Sequence, residues 1–399
     1  MLCVFSRKKE AMIKQISVLG CTGSIGKQAL DVIASHPEEM SLFGIAANRD
    51  IDTMLRQAST YRPRIAACET EFDISLLPAG TEAIMGKGAT EKLAALTEAD
   101  VVVNGVSGFS ALAPLIASLR AGKRVALANK ESIVCGKTLI DSVIKDFGGD
   151  ILPVDSEQSA IFQCLQNGRR EEVDKLILTA SGGPFWQKKR EELEDISPEQ
   201  ALNHPTWNMG KKITLDSATL FNKGLEVIEA AYLFDFPAEQ IDVLIHPQSI
   251  VHSMVSYLDG TCIANMSKPD MRLPIQYAIT YPARIASSCT PLDLSQEKPL
   301  TFHKPDLARF LSLKMAYQAL RNGLSYPLVY NGANEAAVEA FCSGDVGFLD
   351  IERVVDYTLN QHTPKALHTL AEIIEADRLA REDASLVIKR ISQERRNRH

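Results

Sequence analysis

Two short stretches of this chain place carboxylates where they could hold a cation beside an anionic substrate. In Pro153-Val154-Asp155-Ser156-Glu157-Gln158, two carboxylates stand two positions apart at the end of a β-rich run. If the chain is still extended there, side chains 155 and 157 point to one side. Two converging carboxylates need a cation, because their repulsion otherwise raises a pKa, and oxygen-only ligands suit Mg²⁺ or Mn²⁺. The plain alternative is that Asp155 caps the helix that follows. The second stretch runs from Leu215 to Glu229 and contains Asp216-Ser217-Ala218-Thr219-Leu220-Phe221-Asn222-Lys223-Gly224-Leu225-Glu226. Asn222, Lys223 and Glu226 fall on one face of a helix, with Glu229 continuing the stripe. That face suits a phosphate and a metal, but it is equally an exposed face with ordinary charge pairing.

Three further motifs fit a nucleotide cofactor and its neighbour. Gly20-Cys21-Thr22-Gly23-Ser24-Ile25-Gly26 directly follows a strand and opens a helix. Small residues there admit a pyrophosphate, and the helix N-terminus favours its charge. A simple tight turn is the alternative, and the strand–loop–helix setting favours the cofactor. The second strand ends in Ala46-Ala47-Asn48-Arg49, where an arginine suits the 2′-phosphate of NADP, although Asp50 follows at once. Ala128-Asn129-Lys130-Glu131-Ser132 falls at another strand end, which puts Lys130 where ligands bind in open α/β sheets, or at a solvated helix start. His204-Pro205-Thr206-Trp207-Asn208-Met209-Gly210 lies in a stretch of little expected regular structure, 181–211, and such long irregular segments usually carry function. His246 and His252 read first as core or hydrogen-bonding histidines.

These residues need a scaffold. Residues 14–155 alternate short β-rich runs (15–20, 42–47, 65–68, 101–106, 124–129 and 151–155) with amphipathic helices, including 110–121 and 131–147. This predicts an α/β fold with a doubly wound, Rossmann-like parallel sheet. After Asp155 the pattern predicts an α+β domain: a helix over 159–165, a strand over 175–180, a helix over about 218–233, and strands over 242–246, 250–257 and 261–266. Residues 281–305 hold four prolines and read as a linker. From Asp306 the chain is helical and forms a C-terminal helical bundle. The expected domains are 1–155, 156–280 with a flap over 181–211, and 306–399.

A chain of 399 residues exceeds one compact core. Its formal charge of −7 argues against a broad nucleic-acid-binding face. No apolar run approaches the roughly 20 residues that span a bilayer, and no apolar segment follows the basic N-terminus, so neither a membrane partner nor a secretory signal is expected. Met12 is a second candidate start, with residues 1–11 as an extension. Eight scattered cysteines without C-x-x-C spacing suit neither zinc nor a disulfide framework, and point to a reducing cytoplasm.

Taken in order, Gly-Cys-Thr-Gly-Ser-Ile-Gly, Ala-Asn-Lys-Glu-Ser, Pro-Val-Asp-Ser-Glu, Ala-Ser-Gly-Gly-Pro-Phe, His-Pro-Thr-Trp-Asn-Met-Gly, Asp-Ser-Ala-Thr-Leu-Phe-Asn-Lys-Gly-Leu-Glu, His-Pro-Gln-Ser-Ile-Val-His and Asn-Gly-Ala-Asn-Glu resemble the 1-deoxy-D-xylulose 5-phosphate reductoisomerases over residues 15–350. The resemblance implies an NADPH domain, a catalytic domain and a helical domain in a V-shaped subunit, paired as a homodimer. It implies Asp155, Glu157 and Glu226 as metal ligands, and Ser181, Ser217, Asn222 and Lys223 around the substrate phosphate. Ser156, Lys130 and His204 are implied at the sugar, with Trp207 and Met209 on a flap closing over it. For NADPH it implies Thr22, Gly23, Ser24, Ile25, Ala47, Asn48, Arg49, Asn129, Glu131 and Gly210. Where the family often has Gly-Lys-Asn this chain has Ala47-Asn48-Arg49, so either Asn48 or Arg49 reads the 2′-phosphate. The implied activity rearranges and reduces 1-deoxy-D-xylulose 5-phosphate to 2-C-methyl-D-erythritol 4-phosphate, on a route to isoprenoids. Two rival readings are a metal-independent NADP dehydrogenase acting on a semialdehyde, and a dinucleotide-sensing regulator.

Overall fold

The computed structural model describes residues 13–203 and 210–397. Its first sheet contains β1 (Lys14–Leu19), β2 (Met40–Ala47), β3 (Ile65–Cys68), β4 (Glu82–Met85), β5 (Val101–Asn104), β6 (Arg124–Leu127) and β7 (Asp150–Pro153). Their order is β4-β3-β2-β1-β5-β6-β7, and every neighbouring pair is parallel. β5 reads Val-Val-Val-Asn and is buried throughout, the continuous apolar run of a parallel strand covered on both faces. Strand order reverses between β1 and β5, and such a switch point opens a crevice beyond the carboxyl ends of the strands. β4 was not expected: it is a four-residue edge strand with no buried side chain, so its pattern carries little signal.

β1, β5, β6 and β7 stop one or two residues short of the expected limits. The residues beyond them turn into loops and helix caps facing the crevice. Asn129 is one such cap: its side chain accepts from the Ser132 amide and starts the Lys130–Phe147 helix, which Gly148 ends in the left-handed conformation.

The second sheet has β8 (Val173–Ala180), β9 (Ile241–Ile245), β10 (Val251–Tyr257) and β11 (Cys262–Met266) in the order β11-β10-β8-β9. β10 runs antiparallel to β8 and β11, and β8 is parallel to β9. Val227 and Ala230 of the Phe221–Phe234 helix share a core with Leu176, Leu178 and Val243 of this sheet.

The single helix expected over 218–233 is corrected to two, Lys211–Ala218 and Phe221–Phe234. Between them Leu220 takes a left-handed backbone with φ 61°, a strained conformation for a non-glycine residue that persists only where its surroundings fix it. Here the Thr219 carbonyl accepts from the Ser312 hydroxyl at 2.6 Å, while the Thr219 hydroxyl bonds back to Leu215 and Asp216. The bend turns Ser217 and Asn222 toward the same space.

The expectation of a long irregular stretch is also corrected for residues 181–203. Arg190–Leu193 and Pro198–Ala201 are helical turns, and Phe185, Leu193, Ile196 and Ala201 are buried in the largest core. Arg309 donates to the carbonyls of Trp186 and Lys188 and ties the segment down. The Arg272–Thr280 helix follows the second sheet in sequence, yet Ile275, Ala278 and Ile279 pack with Ile16 and Val101 of the first. Beyond it, His303 pairs with Ile245 of β9. Helices Leu311–Asn322, Tyr326–Cys342, Phe348–Gln361 and Leu370–Arg396 complete the chain. Their core runs without a break into the outer helices of the first sheet, through Leu112, Ile133 and Leu139. No helix among the described residues is long and apolar enough to cross a membrane.

Candidate active site

A cavity of about 890 Å³ opens where the carboxyl ends of both sheets and the Leu220 bend face each other. Asp155, Glu157 and Glu226 meet on its floor, each offering one oxygen within 4.8 Å of the others. The geometry that brings them together is not an extended strand. β7 ends at Pro153, Asp155 takes the N-cap position and Glu157 lies in the first turn of the Ser156–Leu165 helix. Asp155 makes no capping hydrogen bond with its side chain; it accepts instead from Lys130 Nζ at 2.5 Å. The plain capping alternative is therefore excluded.

Two buried lysines compensate this acidity. Lys130 also reaches Glu226 at 3.2 Å and donates to Asn222 Oδ1 at 2.8 Å. Lys223 binds Glu157 at 2.8 Å and contacts Glu226 and the Thr179 carbonyl. Burial pushes the Glu226 carboxyl up to about 7, with the nearby charge of Glu157 adding to it and both lysines opposing. Glu157 is buried too, but Lys223 and the Ser156 hydroxyl overcome that and hold it down at about 2. Behind them burial and the Asp155 charge push Glu229 well up, and its Oε2 has no hydrogen-bond partner among the described residues. Two ammonium groups thus serve three carboxylates, or four with Glu229. A hard divalent cation fits this all-oxygen donor set and the charge it leaves uncompensated.

The cofactor arm is made differently. Gly20 has φ +71°, and a Cβ there would lie 2.7 Å from the Gly105 carbonyl oxygen. A Cβ on Gly26 would meet the Gly20 oxygen at 2.3 Å. Both glycines are therefore required to fold the loop this tightly, and the helix Ser24–Ala34 begins without a side-chain cap, leaving its first amides for an anion. Asp50 is not available to a ribose, since its carboxylate caps the Ile51–Tyr61 helix through the Thr53 amide at 3.1 Å. Arg49 is exposed and makes no ion pair among the described residues.

Gly23, Ser24, Ile25, Asn129, Lys130, Glu131, Ser156, Ser181, Gly210, Ser217, Asn222 and Lys223 all line the cavity with the three carboxylates. Thr22, Ala47, Asn48 and Arg49 lie outside its lining: Ala47 is buried at the end of β2, and Asn48 and Arg49 are exposed just beyond it. His204, Trp207 and Met209 fall outside the described residues. His246 also borders the cavity but is fully buried, with Nδ1 against the Thr301 carbonyl and Nε2 facing the amides of Ile250 and Val251, so its ring nitrogens are already satisfied. His252 pairs with the Ser267 hydroxyl at 2.8 Å while also lining the cavity. The sequence reading missed Lys212 and the run Pro269-Asp270-Met271-Arg272, which form part of the wall. The run begins three residues after the end of β11, and its Pro-Asp turn signal was the available cue.

Comparison with known proteins adds an independent finding. Family models described as 1-deoxy-D-xylulose 5-phosphate reductoisomerase match residues 16–137, and those of its C-terminal domains match 151–234 and 266–383. The chain is 46% identical over 381 residues to the 1-deoxy-D-xylulose 5-phosphate reductoisomerase of Chlorobaculum tepidum, covering 94% of this chain and 100% of that one. It is 46% identical to that of Desulforamulus reducens, covering 95% and 100%. Among solved structures it is similar to the Zymomonas mobilis reductoisomerase in complex with NADPH, with a TM-score of 0.88 at 38% identity, covering 95% of this chain and 100% of that one. It is equally similar to a DOX-P reductoisomerase in complex with NADPH, fosmidomycin and magnesium, with a TM-score of 0.88 at 37% identity, covering 94% and 98%.

Proposed function

The chain belongs to the 1-deoxy-D-xylulose 5-phosphate reductoisomerase family, and from that we propose how its cavity carries out the family's reaction. The protein converts 1-deoxy-D-xylulose 5-phosphate to 2-C-methyl-D-erythritol 4-phosphate with NADPH and a divalent metal. The observation that carries the assignment of roles is the carboxylate triad facing a glycine loop across one cavity. When bound, the cation supplies Lewis-acid polarisation of neighbouring sugar oxygens and NADPH supplies a hydride.

Asp155, Glu157 and Glu226 are the proposed cation ligands. A cation held there would take over charge that Lys223 now neutralises on Glu157 and Glu226. Lys223 then serves the substrate phosphate with Asn222, Ser217 and Ser181, which sit on the two sides of the Leu220 bend and at the end of β8. Lys130 and Ser156 face the sugar oxygens, and Lys130, held charged between Asp155 and Glu226, can stabilise negative charge developing there. His204 and Trp207 are proposed at the same substrate from the motif. Gly23, Ser24, Ile25, Asn129, Glu131 and Gly210 are the proposed NADPH contacts inside the cavity, with Thr22, Ala47, Asn48 and Arg49 at the adenosine end outside it.

We also propose three functional units: an NADPH unit (1–155), a catalytic unit (156–280) and a helical unit (306–399), with 281–305 linking the last two. The assembly proposed is a homodimer; β11 supports this as the edge of its sheet, with none of its side chains buried and those of Cys262 and Ala264 exposed. A cytoplasmic setting accords with the free cysteines of the described residues, none of them paired.

The test is NADPH consumption in the presence of 1-deoxy-D-xylulose 5-phosphate. It should stop on chelation and return with Mg²⁺. Turnover that survives chelation would overturn the metal assignment, and NADPH binding without consumption would favour a sensing role.

A further inference from the structure

The motif Asn331-Gly332-Ala333-Asn334-Glu335 lies on the Tyr326–Cys342 helix of the C-terminal bundle, and nothing in the proposed reaction uses it. Asn334 is fully buried and is not among the residues lining the cavity. Its amide donates to Asp216 Oδ1 at 2.8 Å, in the Lys211–Ala218 helix. Asp216 Oδ2 accepts from Lys212 Nζ at 2.6 Å, and the same ammonium lies 3.2 Å from Glu131 Oε1. Glu131 Oε2 in turn accepts from Asn129 Nδ2 at 2.9 Å, and that amide also donates to the carbonyls of Val106 and Gly108. The path therefore runs from the bundle to the 105–108 loop and the Asn129–Glu131 turn, both in the cavity wall.

A second strut arrives beside it. Glu335 accepts from Arg381 at 2.5 Å and from Asn331 at 3.2 Å, and a Cβ on Gly108 would lie 3.3 Å from Glu335 Oε1. Asp377 braces Arg381 from the Leu370–Arg396 helix at 2.6 Å. A buried charge is costly unless paired, so each link here fixes the next. Lys212 has two anionic partners, but only Asp216 is itself anchored by the bundle.

We propose that Asn334, acting through Asp216 and Lys212, is a positioning residue for the cofactor arm of the cavity, so that the C-terminal bundle sets NADPH affinity from outside the cavity. The inference rests on the NADPH reading above. Without Asn334, Asp216 is free to swing, Lys212 no longer holds Glu131 in place, and the Asn129 amide loses its alignment on the 105–108 carbonyls.

The test is a double-mutant cycle read as NADPH Kd by fluorescence titration, with the melting temperature and the sugar-phosphate KM measured in parallel. Asn334→Ala should weaken NADPH by roughly tenfold and leave the sugar-phosphate KM within about twofold. Lys212→Met should weaken NADPH to a similar degree, and adding Asn334→Ala to it should cost less than about twofold more, since one path is already cut. If the Asn334→Ala penalty persists undiminished in the Lys212→Met background, or if only the melting temperature moves, the proposal is overturned. Should Asn334→Ala not fold, Asp216→Asn preserves the size of that side chain while removing the charge that holds Lys212. It must then give the same loss of NADPH affinity and the same non-additivity with Lys212→Met. Failure of the wild-type protein to bind NADPH would instead sink the cofactor reading, and so the two failures are distinguishable.

Discussion

At the carboxylate cluster every member is answered by a side chain from a distant part of the chain: Lys130 reaches Asp155 and Glu226, and Lys223 reaches Glu157. At the cofactor loop the contacts are mainly of backbone on backbone, with the Gln57 amide donating to the Cys21 carbonyl at 2.8 Å. The Gly23 amide donates to the Gly20 carbonyl at 3.0 Å, Cys21 to Ala46 at 3.0 Å and Gly105 to Leu19 at 3.0 Å. The first site is a balance of charges in a buried place, sensitive to any change of charge. The second is a shape, sensitive to any added atom but tolerant of the charges around it. Two halves of one cavity can therefore fail by different physics, and substitutions can separate them.

The largest expected effect is on the charge balance. Glu226 is fully buried and is contacted by Lys130, Asn222 and Lys223 on the cavity floor. Glu226→Gln keeps its volume but replaces an anionic ligand with a weak neutral one. We expect a loss of more than about 100-fold in turnover, with NADPH affinity changed by less than about twofold. Near-normal turnover at limiting Mg²⁺ would remove Glu226 from the ligand set, and a matching loss of NADPH affinity would show the two halves to be one unit.

The converse experiment acts on shape. Gly26→Ala forces a Cβ into the Gly20 oxygen and the Cys21 backbone, and overpacking of this kind should weaken NADPH roughly 30-fold while leaving Mg²⁺ binding as it was. Calorimetry of both ligands on the same variant decides the point. A smaller change is expected at the rim. Arg49→Ala should weaken NADPH about tenfold and barely alter the weaker binding of NADH, because a guanidinium serves the 2′-phosphate alone. Equal losses for the two cofactors would pass that role to Asn48.

The same contrast governs what could be read from the sequence. The glycine loop was legible because its geometry is local: Gly20, Gly23 and Gly26 sit within seven residues and directly follow a strand. Strand–helix alternation located the first sheet for the same reason. The carboxylates were ambiguous until the fold joined Asp155 and Glu157 to Glu226, because no local pattern states that two segments will meet. Family resemblance supplied that pairing. The Leu220 bend was missed because Thr219 and Leu220 carry no breaker signal; the cause is a contact with Ser312, far along the chain. Residues 181–203 were read as irregular because their turns are short, and their order comes from Leu193 and Ile196 entering a core shared with the C-terminal helices. Lys212 lay outside any expected helix and Asn334 stood only within a motif of the family resemblance, since the importance of both lies in their partners.

The smallest effect expected is on pH, and it would sharpen the account of the cluster as a balance of charges. Burial and the neighbouring Glu157 raise Glu226 from its ordinary 4.5 to about 7. Below about pH 4.5 both the folded and the unfolded protein hold this proton, so the group contributes no pH dependence. Between that value and about 7 the folded protein keeps a proton that the unfolded chain has released, and the metal-free protein should therefore lose stability as pH rises, by about 3 kcal/mol across the window. A cation reverses the preference, because it binds the ionised carboxylate and must displace the proton wherever one is held. Mg²⁺ affinity should consequently fall roughly fivefold from pH 7 to pH 6, but less than about twofold from pH 8 to pH 7. Proton release on binding, measured by calorimetry in buffers of different ionisation enthalpy, should be near one at pH 6 and fade by pH 8. Glu157, held at about 2 by Lys223, contributes nothing over this range. An affinity that stays flat from pH 6 to pH 8, with no proton released, would mean that the two lysines already keep Glu226 ionised and that the cavity floor is balanced before any cation arrives.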